Sequence, residues 1–108
     1  MTILVVFRTR VVAGAEREGE ALGARLYELA TQMPGFVSYA EFAAEGESVA
    51  LVEFTTAEAL STWRNHPEHV EAQRIGRERL FSSYRVQVCS VEREYAFDGT
   101  VRTSIPEQ

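Results

Sequence analysis

One cysteine, three prolines and two histidines are spread over 108 residues. A single thiol, Cys89, cannot close an intrachain disulfide, and it fits a reducing compartment. The expectation is a cytoplasmic protein with Cys89 buried and inert in a strand. No apolar run approaches the roughly 18 residues of a membrane span. The run Met1–Phe7 has no basic region before it and no small-residue cleavage site after it, so it reads as a strand and not a secretion signal. Paired cysteines, HExxH, GxGxxG and the P-loop are all missing, so no metal, nucleotide or other cofactor site is expected. Acidic residues outnumber basic ones 16 to 11, a net charge of −5 that argues against a nucleic-acid or anionic-membrane surface.

What is present is ordinary for a globular protein: 45% apolar and 25% charged residues. The length suits one domain, read as residues 1–97 with a polar tail over 98–108. Thr2–Val12 is predicted as a strand with Ile3, Val5 and Phe7 on one face and Leu4 and Val6 on the other. Ala15–Gln32 is predicted as a helix, because Leu22, Leu26, Leu29 and Ala30 form an apolar stripe and Glu16, Glu18 and Glu20 crowd its N-terminal half. Met33-Pro34-Gly35 stops it. Phe36–Ala44 and Ser48–Phe54 read as strands joined at Glu45-Gly46-Glu47, with Thr55 or Thr56 capping the next helix. In the second strand Phe36, Ser38, Ala40 and Phe42 alternate with Val37, Tyr39 and Glu41. Ser82-Ser83 reads as a break, and Tyr84–Phe97 as a long last strand, with Tyr84 and Tyr95 as sheet packing.

Residues 59–84 concentrate the chemistry: Trp63, His66, His69 and Pro67. The residue before a proline is pushed out of helical geometry, and proline suits the first helical position. One helix therefore ends near Asn65–His66, and a second starts at Pro67 and runs to about Ser82. His69, Gln73 and Arg77 recur at spacing four and share a face. Two short helices meeting at an angle could frame a pocket with Trp63 in its wall. Each residue also has a plain structural role: Trp63 as core anchor, His66 as cap, His69 as a first-turn surface residue. Arg74, Arg77 and Arg79 with Glu71 and Glu78 read as a solvated, ion-paired helix face, with Arg77 the one set apart for testing.

The order β-α-β-β-α-(α)-β is the ferredoxin-like, α+β pattern, an antiparallel sheet with helices on one face. Strands one and three are apolar on both faces, although helices can cover only one. The uncovered face calls for a partner, and a homodimer through that helix-free face is the expectation.

The segments MPGFVSYAEF, VALVEFTTAEALSTW, NHPEH and AQRIGRERLFSSYRVQV, within residues 2–97, resemble the antibiotic biosynthesis monooxygenase-like family. The resemblance implies a small ferredoxin-like domain that pairs into a dimeric α+β barrel. It also implies one of several chemistries: cofactor-independent oxygenation of aromatic polyketides or quinols, heme degradation, or none assigned. The heme-degrading branch has a Trp, which Trp63 matches. It also has a His ligand and a first-strand Asn, where Gln73 and Phe7 stand here. The polyketide branch has an Asn and a Trp on the third strand, where Ala50 and Phe54 stand. Some quinol-type members have a His in the HPEH stretch, as His69 is here.

The function expected is a cofactor-independent monooxygenase of a small electron-rich aromatic. A near-neutral base is needed to form the substrate anion, with His69 first and His66 second. Asn65, Gln73 or Arg77 would hold the phenolate oxygen, and Trp63, Phe36, Tyr39 and Phe81 would form the walls. The alternatives are a non-catalytic dimeric domain that binds a small ligand and, third, a heme-binding or heme-degrading protein.

Overall fold

The computed structural model describes residues 1–99. Its elements are β1 (Ile3–Val11), α1 (Glu16–Ala30), β2 (Phe36–Ala44), β3 (Glu47–Phe54), α2 (Ala57–Arg64), α3 (Pro67–Ile75), a π-turn (Gly76–Leu80) and β4 (Phe81–Ser90). The four strands form one antiparallel sheet in the order β2-β3-β1-β4. This is the ferredoxin-like α+β fold. Among the described residues no helix is long and apolar enough to cross a membrane. The expected tail from Asp98 falls, after Gly99, outside the described residues.

Local chemistry explains most boundaries. Glu45 and Gly46 both have positive φ, at 52° and 78°, as a two-residue hairpin between right-twisted strands requires. Thr56 caps α2 by accepting the Ala59 N–H at 3.0 Å. Gly35, at φ 83°, turns the chain where a Cβ would lie 2.6 Å from the Ala59 Cβ, so β2 enters hard against α2.

The core lies between the helices and the face of the sheet that carries Phe54, Val52 and Ala50. The odd residues of β1, Ile3, Val5, Phe7 and Thr9, share that face. Two bulges reshape it. At Val37 the register slips, so Phe36 pairs with Phe54 while Tyr39 pairs with Val52. At Ser82 it slips again, so Phe81 pairs with Val11 while Tyr84 pairs with Thr9. Each bulge brings two aromatics three residues apart to the covered face. Simple alternation placed Phe36 with Ala40 and Phe42 instead, which is corrected here.

Further expectations change. The third helix does not reach Ser82: α-helix ends at Ile75, the π-turn follows, and β4 starts at Phe81. Ser82-Ser83 is no break; both lie in β4, where the Ser82 hydroxyl donates to the Arg10 carbonyl. The last strand stops at Ser90 and not Phe97, because its partner β1 ends opposite it, at Ile3. Tyr95 is therefore outside the sheet and exposed. Cys89 is half-buried and not fully shielded.

Candidate functional site

The break at Pro67 is as the local sequence dictates. Asn65 closes α2, His66 takes an extended conformation, and Pro67 opens α3. The His66 Nδ1 accepts the Glu68 N–H at 3.1 Å, so this ring is spent on capping. Glu68 in turn receives a two-pronged contact from Arg25 of α1, at 3.0 and 2.9 Å, which ties α3 to α1. The Arg25 guanidinium holds the Glu68 carboxyl below its ordinary range.

Between the helices and the sheet lies a cavity of about 1350 Å³. Its floor comes from the covered faces of the strands: Val5, Phe7 and Thr9 of β1, Tyr39 and Glu41 of β2, Ala50, Val52 and Phe54 of β3, and Tyr84, Val86 and Val88 of β4. Its roof comes from Leu22, Leu26 and Tyr27 of α1, Trp63 and Arg64 of α2, and the His69–Gln73–Arg77 row. The β4 side is open, since Val86 and Val88 remain about half exposed. A volume above the ~300–1,000 Å³ of ordinary small-molecule sites leaves room for a fused-ring ligand with water.

Two aromatic groupings shape the walls. Phe7 meets Phe81 edge-on at 5.9 Å and Tyr84 at 6.0 Å. At the α2–α3 end the His69 ring stands edge-on to Trp63, with centroids 4.7 Å apart. Trp63 is buried, so it serves both as a core anchor and as cavity wall.

His69 carries the most unusual polar group. Its Nδ1 is buried and has no hydrogen-bond partner among the described residues. Burial pushes its pKa below the ordinary value; the nearby charges of Arg64 and His66 act the same way, and hydrogen bonding at the Arg64 backbone opposes them. Burial thus favours the neutral form of the imidazole. On the floor, burial and then the Glu41 carboxylate push the Tyr39 phenol up to about 12, so it stays protonated and can donate. Tyr27 packs edge-on against Tyr39 at 5.2 Å.

Of the candidate residues, the cavity brings together His69, Trp63, Gln73, Arg77, Tyr39 and Phe81. Three do not line it. His66 faces its own helix cap. Asn65 donates to the Ser61 hydroxyl at 3.4 Å. Phe36 packs edge-on to the fully buried Phe54 at 6.0 Å and belongs to the core. Phe7, Thr9, Glu41 and Tyr84 line the cavity without having been singled out. Glu41 had a visible signal: a carboxylate on the same strand face as Tyr39.

Known proteins resemble this chain in sequence and in fold. The antibiotic biosynthesis monooxygenase family matches residues 2–75. The chain belongs to that family. Uncharacterized protein YqjZ of Bacillus subtilis (strain 168) is 32% identical over 74 residues, which are 68% of this chain and 65% of YqjZ. The match thus spans less than two thirds of that relative's length. Rv0793 from Mycobacterium tuberculosis superposes with a TM-score of 0.80 at 20% identity, over 89% of this chain and 100% of its own. SnoaB from Streptomyces nogalater, a cofactor-independent oxygenase, superposes with a TM-score of 0.74 at 20% identity, over 86% of this chain and 95% of its own. At such identities these two show a shared fold.

Proposed function

We propose that this protein is an oxidoreductase: a cofactor-independent monooxygenase of a small, electron-rich aromatic such as a quinol or anthrone. The observation that carries the reading is His69, an imidazole that lines an aromatic cavity edge-on to Trp63 and whose pKa burial lowers. His69 takes the proton of a ring hydroxyl as general base. The phenolate that forms is itself the reductant. It passes electrons to dioxygen, one oxygen atom enters the ring carbon, and the other leaves as water with two hydrogens from the substrate. Tyr39 and Gln73 donate to the developing oxyanion, and Trp63, Phe81 and Phe7 hold the ring.

Two copies associate, in this proposal, through the helix-free face into a dimeric α+β barrel in the cytoplasm. That face carries Leu4, Val6, Val49 and Leu51, with Phe42 62% exposed beside them. Such a patch on a lone subunit is costly in water.

A second reading, a non-catalytic ligand-binding domain, is favoured by Ala50 and Phe54, both buried and apolar where the polyketide branch has polar Asn and Trp groups. Oxygen consumption separates the two. The oxygenase reading expects uptake with an anthrone or hydroquinone in chelator-treated buffer, lost in His69→Ala. Binding of the same compounds without uptake at any pH would leave only the ligand-binding reading.

A further inference from the structure

Most charged groups on the helices are already answered. Arg25 is paired with Glu68, Arg74 with Glu71 and Glu78, and Arg79 with Glu18. Two arginines line the cavity, Arg64 and Arg77, and neither side chain has an ion pair among the described residues. Both side chains are exposed to water where they line the cavity, and there a guanidinium can offer two N–H donors at once to a planar anion. The cavity's own carboxylates do not supply that anion. Glu41 and Glu47 belong to the β2–β3 hairpin at one side of the sheet, whereas the π-turn carrying Arg77 packs on β4, the opposite edge. Glu16 and Glu20 of α1 also line the cavity, and neither is ion-paired with Arg77.

Position along α3 and the π-turn bounds a length. His69 lies in α3 and Arg77 eight residues on in the π-turn, with Gln73 between them, and all three line the cavity. At about 1.5 Å per residue of α-helix the span is at most roughly 12 Å. The Phe7–Phe81–Tyr84 grouping lines the same cavity, and Phe81 directly follows the π-turn that carries Arg77.

We infer that the ligand of this cavity is an aromatic acid, its hydroxyl at His69 and an ionised carboxylate at the far end held by Arg77. This rests on the reading of the cavity as an aromatic site, and it adds the charge and the length of what enters. A neutral quinol would leave Arg77 to water alone. Arg77 here is a binding group at the end remote from the reacting ring, so its effect falls on affinity and KM.

The test uses the full-length chain and three probes of one shape: 6-hydroxy-2-naphthoate, its carboxamide, and 6-(aminomethyl)-2-naphthol. Calorimetry near pH 8 keeps the acid ionised and His69 neutral. The acid should bind about tenfold or more tighter than the amide, and the amine weakest. Arg77→Gln should erase the preference by weakening the acid while the amide is unchanged, and Arg77→Lys should keep part of it. Circular dichroism confirms that each variant is folded. Equal binding of acid and amide, preference for the amine, no binding of any probe, or full preference retained in Arg77→Gln would each overturn the inference. Oxygen uptake with a neutral hydroquinone is scored separately. Uptake without charge preference sinks only this inference, and charge preference without uptake sinks only the oxygenase reading.

Discussion

Trp63 and His69 sit with ring centroids 4.7 Å apart and planes inclined at 61°. Six residues separate them, which in one continuous helix would set them roughly 240° apart around the axis. They meet only because the chain changes direction at His66-Pro67. The contact encloses one side of the imidazole, and that enclosure lowers its affinity for a proton.

Acid should therefore weaken the fold through His69. Its folded pKa is depressed, so the unfolded chain binds more protons between that value and about 6.5, and stability falls as pH drops through this window. Thermal unfolding of the parent should shift to lower temperature below about pH 6.5, and His69→Gln should flatten that slope. Glu68, whose pKa is also lowered, acts only in the more acid carboxylate range and is separable. An unchanged slope in His69→Gln would show that the imidazole titrates freely.

Trp63→Phe should cost about 1–3 kcal/mol, because the residue is 5% exposed and the smaller ring leaves a gap. It should also weaken a planar aromatic ligand, since Trp63 is wall as well as core. Quenching of the only tryptophan reports binding in the parent. Stability loss with unaltered affinity would reduce Trp63 to packing.

Assembly is checked by sedimentation. A stable dimer of the obligate kind should bury more than roughly 2,000 Å² in total. Leu51→Arg, on the helix-free face beside Val6 and Ala40, should give monomers by placing a charge in that interface. A parent that is monomeric at micromolar concentration contradicts this.

Hemin is expected not to form a tight one-to-one complex, because Gln73 stands where the resemblance to the heme-degrading branch implies an iron ligand. Titration should show no sharp Soret shift that saturates at one heme per chain. If one appears, His69→Ala tells whether the ligand is the neighbouring turn's imidazole.

Gly35→Ala should destabilise by about 1–3 kcal/mol or more. Its φ of 83° disfavours any side chain, and the new Cβ would lie 2.6 Å from that of Ala59. Denaturant midpoints read this directly; no change would mean that the β2–α2 junction yields easily.

The sequence was most legible where one local rule dominates. Pro67 with His66, the Thr56 cap and the Glu45-Gly46 turn placed three boundaries, and the leucine stripe placed α1. It was least legible where tertiary pairing decides. Neither bulge has a sequence mark, yet the one at Val37 decides that Phe36 and Tyr39 share a face, and the one at Ser82 does the same for Phe81 and Tyr84. β4 ends at Ser90 because β1 ends opposite it, a limit written far away in the chain. At the site, the spacing of His69, Gln73 and Arg77 was enough to find the roof. The floor needed the register, so Phe7, Thr9 and Glu41 went unmarked. Asn65 and His66 were misread as cavity groups because closeness to a helix break says nothing of which way a side chain turns.

Gly76 has no side chain, and the Phe81 ring rests in the notch this leaves, with Cε2 2.5 Å from where a Cβ would stand. Gly76 does not line the cavity, whereas Phe81 does. An alanine at Gly76 would force the ring to shift. The shape of the cavity wall is thus set from behind, by one missing methyl, while every group that lines the cavity keeps its identity.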